Sequence, residues 1–456
     1  MRIIPLIVSL AFFMEAMDST IINTSIPAMS SSLNVNPIDL KIALISYLLS
    51  LAMFIPISGW LADKFGMKKI FIAAFFIFTV SSLWCGFSQN LTELVIARFF
   101  QGIGGALNLP VGRLIILRTF GRQQLISIMS RVVMVGALGM MLGPVLGGQI
   151  THYLSWHWIF WINLPIGCLA IGLAMYGLTN PPAQPVPPLD KMGFLLFGLG
   201  LALLTFGLSE MSESTISFLH SILIILMAMG LFIAYVFHSR KQPHPIVKTE
   251  LLMMRTFRIS VIGNLLSRLG FGGVPFLVPL LLQIGLGYSA QFSGLILAPT
   301  AIGVLILKPC LLPILRFFGY KRLLMLNTIL AALSLWSFIF INASTSFYFI
   351  GFLTFFYGVI VSIQYSAMNT LAYSNIAAEH LSAATSIMST LQQVAQSFGV
   401  AVSALFLRYF SSFSPDHFSL TTRIFHETFF AVGLITFCST LIYFHMKIDD
   451  GQQMLE

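Results

Sequence analysis

Gly59-Trp60-Leu61-Ala62-Asp63-Lys64-Phe65-Gly66-Met67-Lys68-Lys69 is a short charged interruption between two long apolar runs, residues 43–61 and 70–87. Each run is long enough to cross a bilayer, which takes about 20 residues. A connection this brief makes the two crossings an antiparallel hairpin. Lys64, Lys68 and Lys69 put its turn on the cytoplasmic side, because basic residues in short loops stay inside. Gly66 supplies a positive φ for the turn. Asp63 closes the preceding helix with a charge free to meet another helix's positive end.

Composition sets the class. The 456 residues are 57% hydrophobic and 9% charged, with a mean hydropathy of +0.92. A soluble chain carries about 25% charged residues, so this is a polytopic membrane protein with the lipid bilayer as its surroundings. The net charge of +9 follows from basic inner loops and calls for no nucleic acid. Cys85, Cys168, Cys310 and Cys438 all fall in apolar runs without a CxxC pair, so they read as packing residues. There is no HExxH, GxSxG or P-loop, and the nine histidines lie near span ends or in loops. The chain reads as a non-enzyme with no cofactor and no metal.

The opening run, interrupted by Glu15 and Asp18, reads as a first span over 5–26 rather than a cleaved signal. Further spans follow near 41–61, 70–88, 92–117, 126–151, 157–178, 192–210 and 216–237. The last six lie near 258–284, 290–314, 323–342, 346–371, 383–410 and 426–446. Fourteen crossings put both termini on one side. With that side cytoplasmic, sixteen basic residues, Arg2, Arg118 and Arg122 among them, fall inside and three outside. Five more lie within spans. The bias supports the topology.

Gly66-Met67-Lys68-Lys69 recurs as Gly319-Tyr320-Lys321-Arg322 after the second of the last six spans, with Arg316 where the first copy has Asp63. The repeat predicts an all-α membrane protein of two six-helix bundles. These occupy 1–178 and 257–446, joined by a linker over 179–256 with two inserted spans and a Pro-rich break at 180–188. A cytoplasmic tail occupies 447–456.

Through Gly59, Leu61, Ala62, Asp63, Gly66, Lys68 and Lys69 the hairpin turn resembles the signature loop between spans two and three of the major facilitator superfamily. Four further stretches resemble motifs of that family's fourteen-span drug:proton antiporter branch. They are 17–27 in span one, 97–106 in span four, 139–148 in span five and 156–167 at the start of span six. The chain also resembles the multidrug-resistance-D type of exporters, through these stretches and through 110–113 and 283–287; in the last six spans the likeness is looser. The resemblance implies a solute site between duplicated halves near the midplane. It also implies proton-driven antiport by alternating access in a bacterial cell membrane, the inner membrane in a Gram-negative cell.

Glu15 and Asp18 lie three apart, about 60° around a helix, and share a face. Acids within spans usually mark proton or ion paths. Asp18 is about 20 Å from the inner end of span one and Arg98 about 9 Å from the outer end of span four. Across a core of about 30 Å they meet in depth. Asp18 and Arg98 are therefore expected to interact, with protonation of Asp18 loosening the contact; a static ion pair is the alternative. Glu15 stands where the family commonly has a neutral amide. It is either a second proton carrier or a residue facing a wet cavity.

Gly136, Gly139, Gly143 and Gly147 form a stripe about 80° wide, which lets helices approach closely, and Pro144 adds a kink. The resemblance gives the face with Gly139, Gly143, Pro144, Gly147 and Gly148 a role in closing the cavity. It likewise gives the loop with Gly59, Asp63, Gly66, Lys68 and Lys69 a conformational role, with Asp63 meeting the start of span thirteen near Ser382. Candidate cavity groups are Asn23, Gln101, Asn108, Arg113, Arg268, Gln364, Asn369, Gln392 and Gln396. Each also qualifies as an interhelical hydrogen-bonding residue. Five bases against two acids within spans suit an anionic or zwitterionic solute, although Arg113, Arg131 and Lys308 are expected near the inner interface. The abundant Met and Phe suit an adaptable apolar cavity. The expected function is a monomeric proton-driven exporter of amphipathic small molecules. The alternatives are a proton-coupled transporter of a specific organic anion, metabolite or siderophore, and a non-transporting sensor or scaffold.

Overall fold

The computed structural model describes residues 3–120, 122–179, 186–211, 218–377, 380–414, 420–447 and 449–451, all helical or irregular with no strand among them. Arg2, most of the Pro-rich break and the side chains of Arg122 and Ser382 lie outside the described residues. Among the described residues, thirteen helices are long and apolar enough to cross a membrane: α1 Ile4–Leu33, α2 Lys41–Phe65, α3 Met67–Phe87, α4 Leu91–Thr119, α5 Ser127–Tyr153, α6 Trp158–Gly177, α7 Lys191–Glu210, α8 Leu219–Ser239, α9 Arg255–Gly285, α10 Ala290–Phe340, α11 Phe347–Tyr373, α12 Ala383–Ser411 and α13 Thr422–Phe444. Apolar side chains such as Tyr176, Phe317, Phe340 and Tyr348 stand exposed around them. In water such surfaces would aggregate; in lipid they are the solvated face. This is a multi-pass membrane protein.

The count differs from the fourteen read in the sequence. Two expected spans, 290–314 and 323–342, are one helical run of 51 residues in α10. At 1.5 Å per residue that run far exceeds a core of about 30 Å. It is broken at Gly319, whose φ of 67° and ψ of 164° are not helical. The equivalent break in the first half is Gly66, at φ 95°, where only glycine sits without strain. The repeat extends to the lysine two residues beyond each glycine. Lys68 donates to the Met175 carbonyl at 2.6 Å, at the end of α6. Lys321 donates to the Phe444 and Met446 carbonyls at 3.1 and 2.7 Å, at the end of α13. In each half an ammonium thus satisfies orphan carbonyls where the helix dipole is negative.

The chain falls into two compact units, residues 1–191 with 289–295, and 192–288 with 296–456. In the first, α1 packs along α5, α2 and α3 along α4, and α3 along α6. Its core gathers Ile7, Val8, Phe71, Phe75, Phe78 and Val111. The glycine stripe of α5 makes the α1 contact possible. A Cβ added at Gly139 would lie 2.4 Å from the Phe13 carbonyl oxygen, and one at Gly143 2.0 Å from Thr20 Oγ1. In the second unit α9 packs against α12 and α13, and the later part of α10 against α11 and α13. The linker helices α7 and α8 meet where Gly200 and Gly207 admit Phe232 and Ile225.

Candidate functional site

Asp18 sits mid-helix on α1 with no exposed surface. Arg98 on α4, 1% exposed, donates from Nη1 to Asp18 Oδ2 at 2.7 Å. The contact expected from depth arithmetic is present. The same Nη1 donates to Gln101 Oε1 at 2.7 Å, and Gln101 Nε2 donates to Asp18 Oδ1 at 2.9 Å. A guanidinium has only donors, so it fixes the Gln101 oxygen toward itself and the amide nitrogen toward the carboxylate. Asn163, in the first turns of α6, adds a third donor to the carboxylate, reaching Oδ1 at 2.9 Å. Ser82 on α3 accepts from Gln101 and Asn163 and donates to the Phe160 carbonyl. The Arg98 guanidinium also stands 4.2 Å from the Tyr47 ring centre. Five helices thus converge on one carboxylate, out of contact with water. Two ions held this way cost several kcal/mol each to desolvate, so the network is stable only while every member is in place.

Glu15 lies one turn before Asp18 and is 7% exposed. Its Oε2 has no described partner. The charges acting on it are Arg113, which attracts, and Asp18, which repels. Arg113 stands over the Phe12 ring at 5.6 Å. Asn108 is fully buried, and neither amide atom bonds a described group. Asn23 turns back on its own helix, donating to the Ser19 and Thr20 carbonyls, within a 3₁₀ turn over Ile22–Ser25.

In the second unit Arg268 pairs with Gln396, and Gln392, one helical turn before Gln396, pairs with Asn369. Arg268 Nε donates to Asn264 Oδ1 at 2.7 Å and Nη1 to Gln396 Oε1 at 3.0 Å. Gln392 donates to Asn369 at 2.5 Å. Gln364 does not join them. It is fully buried, accepting from Asn327 and donating to Thr328 and Tyr443, and so fastens α11 to α10 and α13.

Among the loop residues, Asp63 is engaged by Arg118 at 2.7 Å, not free as the sequence suggested. Gly59 has open space where a Cβ would go, so no close packing requires it. Lys69 is exposed. Gly148 and Pro144 face residues 289–295 of the same unit: a Cβ at Gly148 would lie 2.4 Å from the Ala290 carbonyl oxygen, and one at Gly294 2.2 Å from that of Pro144. Sequence reasoning gave no role to Asn163, Ser82, Asn264 or Tyr365. Asn163 stood in the quoted span-six motif, and Asn264 precedes Arg268 by one helical turn; both were the available signals.

Comparison with known proteins identifies the family and the fold. The family model of the Major Facilitator Superfamily matches residues 8–400 and again 260–450. A relative from Enterobacter sp. (strain 638), named "Putative multidrug resistance protein MdtD", is 34% identical over 98% of this chain and 95% of its own length. One of the same name from Escherichia coli O139:H28 is 35% identical over the same shares. Among solved structures, a D-xylose-proton symporter superposes with a TM-score of 0.69 at 14% identity, covering 99% of each chain. An auto-inhibited POT family peptide transporter gives 0.69 at 15% identity, covering 99% of this chain and 98% of its own. At such identities the structures speak for the fold alone. The family model and the curated relatives establish that this chain is a membrane transporter and not an enzyme: it belongs to the Major Facilitator Superfamily.

Proposed function

We propose that the chain is a proton-driven secondary active exporter, a drug:proton antiporter that carries amphipathic small molecules across the bacterial cell membrane by alternating access. The observation that carries this is the Asp18–Arg98 pair, held with Gln101 and Asn163 in a dry core. The names of the curated relatives support the solute class.

A proton arriving at Asp18 cancels the charge that Arg98 is buried against. Stripping a buried ion of its partner costs about 3–5 kcal/mol. Inverting a two-state equilibrium from 1:99 to 99:1 takes about 5.5 kcal/mol, so one proton supplies much of the switch. Gln101 and Asn163 hold the carboxylate in place, and Glu15 acts as the second proton carrier. The α10 run crosses twice, around the Gly319 break, giving fourteen spans with both termini cytoplasmic, as the basic residues favour. The Gly59–Lys69 loop and the Gly139–Gly148 face act as conformational elements, and the protein works as a monomer. The test is purified protein in proteoliposomes with an internal pH dye, challenged with cationic and anionic amphiphiles. Solute-dependent proton movement is expected; a sensor or scaffold moves none.

A further inference from the structure

We propose that Arg268 is the anion-recognition subsite of the second unit, built to receive a carboxylate or similar planar oxyanion on the transported solute. It rests on the transport function proposed above and narrows its solute class. Among the described residues two arginines are buried, Arg98 and Arg268, and the fold treats them differently. Arg98 is neutralised by Asp18. Arg268, 9% exposed, has only neutral described partners: the amide oxygens of Asn264 and Gln396, and the Tyr365 ring 3.6 Å from its centre.

The surroundings offer surplus donors and few acceptors. Gln396 Nε2 donates to the Gly272 carbonyl at 2.6 Å, which locks its oxygen toward Arg268. The Asn264 oxygen is likewise taken, while its Nδ2 is buried with no partner. Arg268 Nη2 donates to no described group, yet it is not sealed from solvent. Tyr365 covers one face of the guanidinium, so an incoming group meets the open edge of the fork. A planar fork with free N–H groups matches a carboxylate bidentately, which an ammonium does not. Leaving a buried cation without a counter-ion is costly, and a bound anion relieves that cost. Gln392, one helical turn before Gln396, is bonded to Asn369.

The test uses full-length protein in detergent with no pH gradient, so its outcome is independent of proton coupling. Octanoate, octanol and octyltrimethylammonium share a tail and differ in head; each is titrated while thermal unfolding is followed. Wild type is expected to be stabilised by octanoate well beyond the other two. Arg268→Gln lowers octanoate affinity roughly ten- to a hundred-fold, the loss of hydrogen bonds to a charged group, and Arg268→Lys retains part of it. Equal stabilisation of wild type and Arg268→Gln by octanoate overturns the proposal. So does a wild type that responds to none of the three or prefers the cation, which decides the matter even if Arg268→Gln does not fold.

Discussion

Lys68 and Lys321 perform the same task in the two halves of the chain. Each stands two residues after a glycine of positive φ, and each donates its ammonium to carbonyls at the end of its half's last helix. Replacing either with Ala is expected to lower stability by about 1 kcal/mol, the worth of a cation at a helix C-terminus. Gly66→Ala and Gly319→Ala are expected to cost about 1 kcal/mol or more, because Ala resists that backbone conformation. Thermal unfolding in detergent checks both. Unchanged transitions in all four variants would contradict the duplicated turn.

The α1–α5 contact gives a contrast within one helix family. Gly139→Val and Gly143→Val place side chains into the Phe13 carbonyl and Thr20, so overpacking of about 1–3 kcal/mol or more follows. Gly59→Ala meets open space and is expected to leave the unfolding temperature unchanged. Equal effects at all three positions would show that the small residues do not set the helix approach.

Much of this was legible beforehand because helices advance at a constant rate per residue. Counting along spans one and four was enough to bring Asp18 and Arg98 to one depth, and the recurrence of Gly-x-Lys was enough to reveal the duplication. What was hidden is lateral. Nothing in the sequence says that α3 and α6 flank that pair, so Ser82 and Asn163 carry no assigned role there. The engagement of Asp63 by Arg118 was hidden for the same reason. The helix count is one lower than expected because residues 290–340 form a single run whose two parts are separated only by the non-helical backbone of Gly319.

Asn163→Ala removes one of three donors from a buried carboxylate. An unsatisfied buried acceptor costs about 1–3 kcal/mol, and the loss should appear as a lower unfolding temperature with folding retained. Asn163→Ala with wild-type stability would mean that Asp18 does not depend on the amide.

The Asp63–Arg118 pair is partly exposed, at 31% and 46%, and such pairs contribute roughly 0–1 kcal/mol. Asp63→Asn is therefore expected to leave unfolding nearly unaltered while shifting the balance of conformers, as read by distance measurements between spin labels on the two sides of the membrane. A shift in stability alone would assign the loop a purely structural role.

The central claim is that Asp18 carries the proton that drives transport. Proteoliposomes holding wild type or Asp18→Asn at equal density are loaded with an amphipathic dye, and its movement is timed with and without an imposed pH difference. The account predicts that the pH difference accelerates wild type strongly and leaves Asp18→Asn at its ungraded rate. An Asp18→Asn variant accelerated as much as wild type would contradict it.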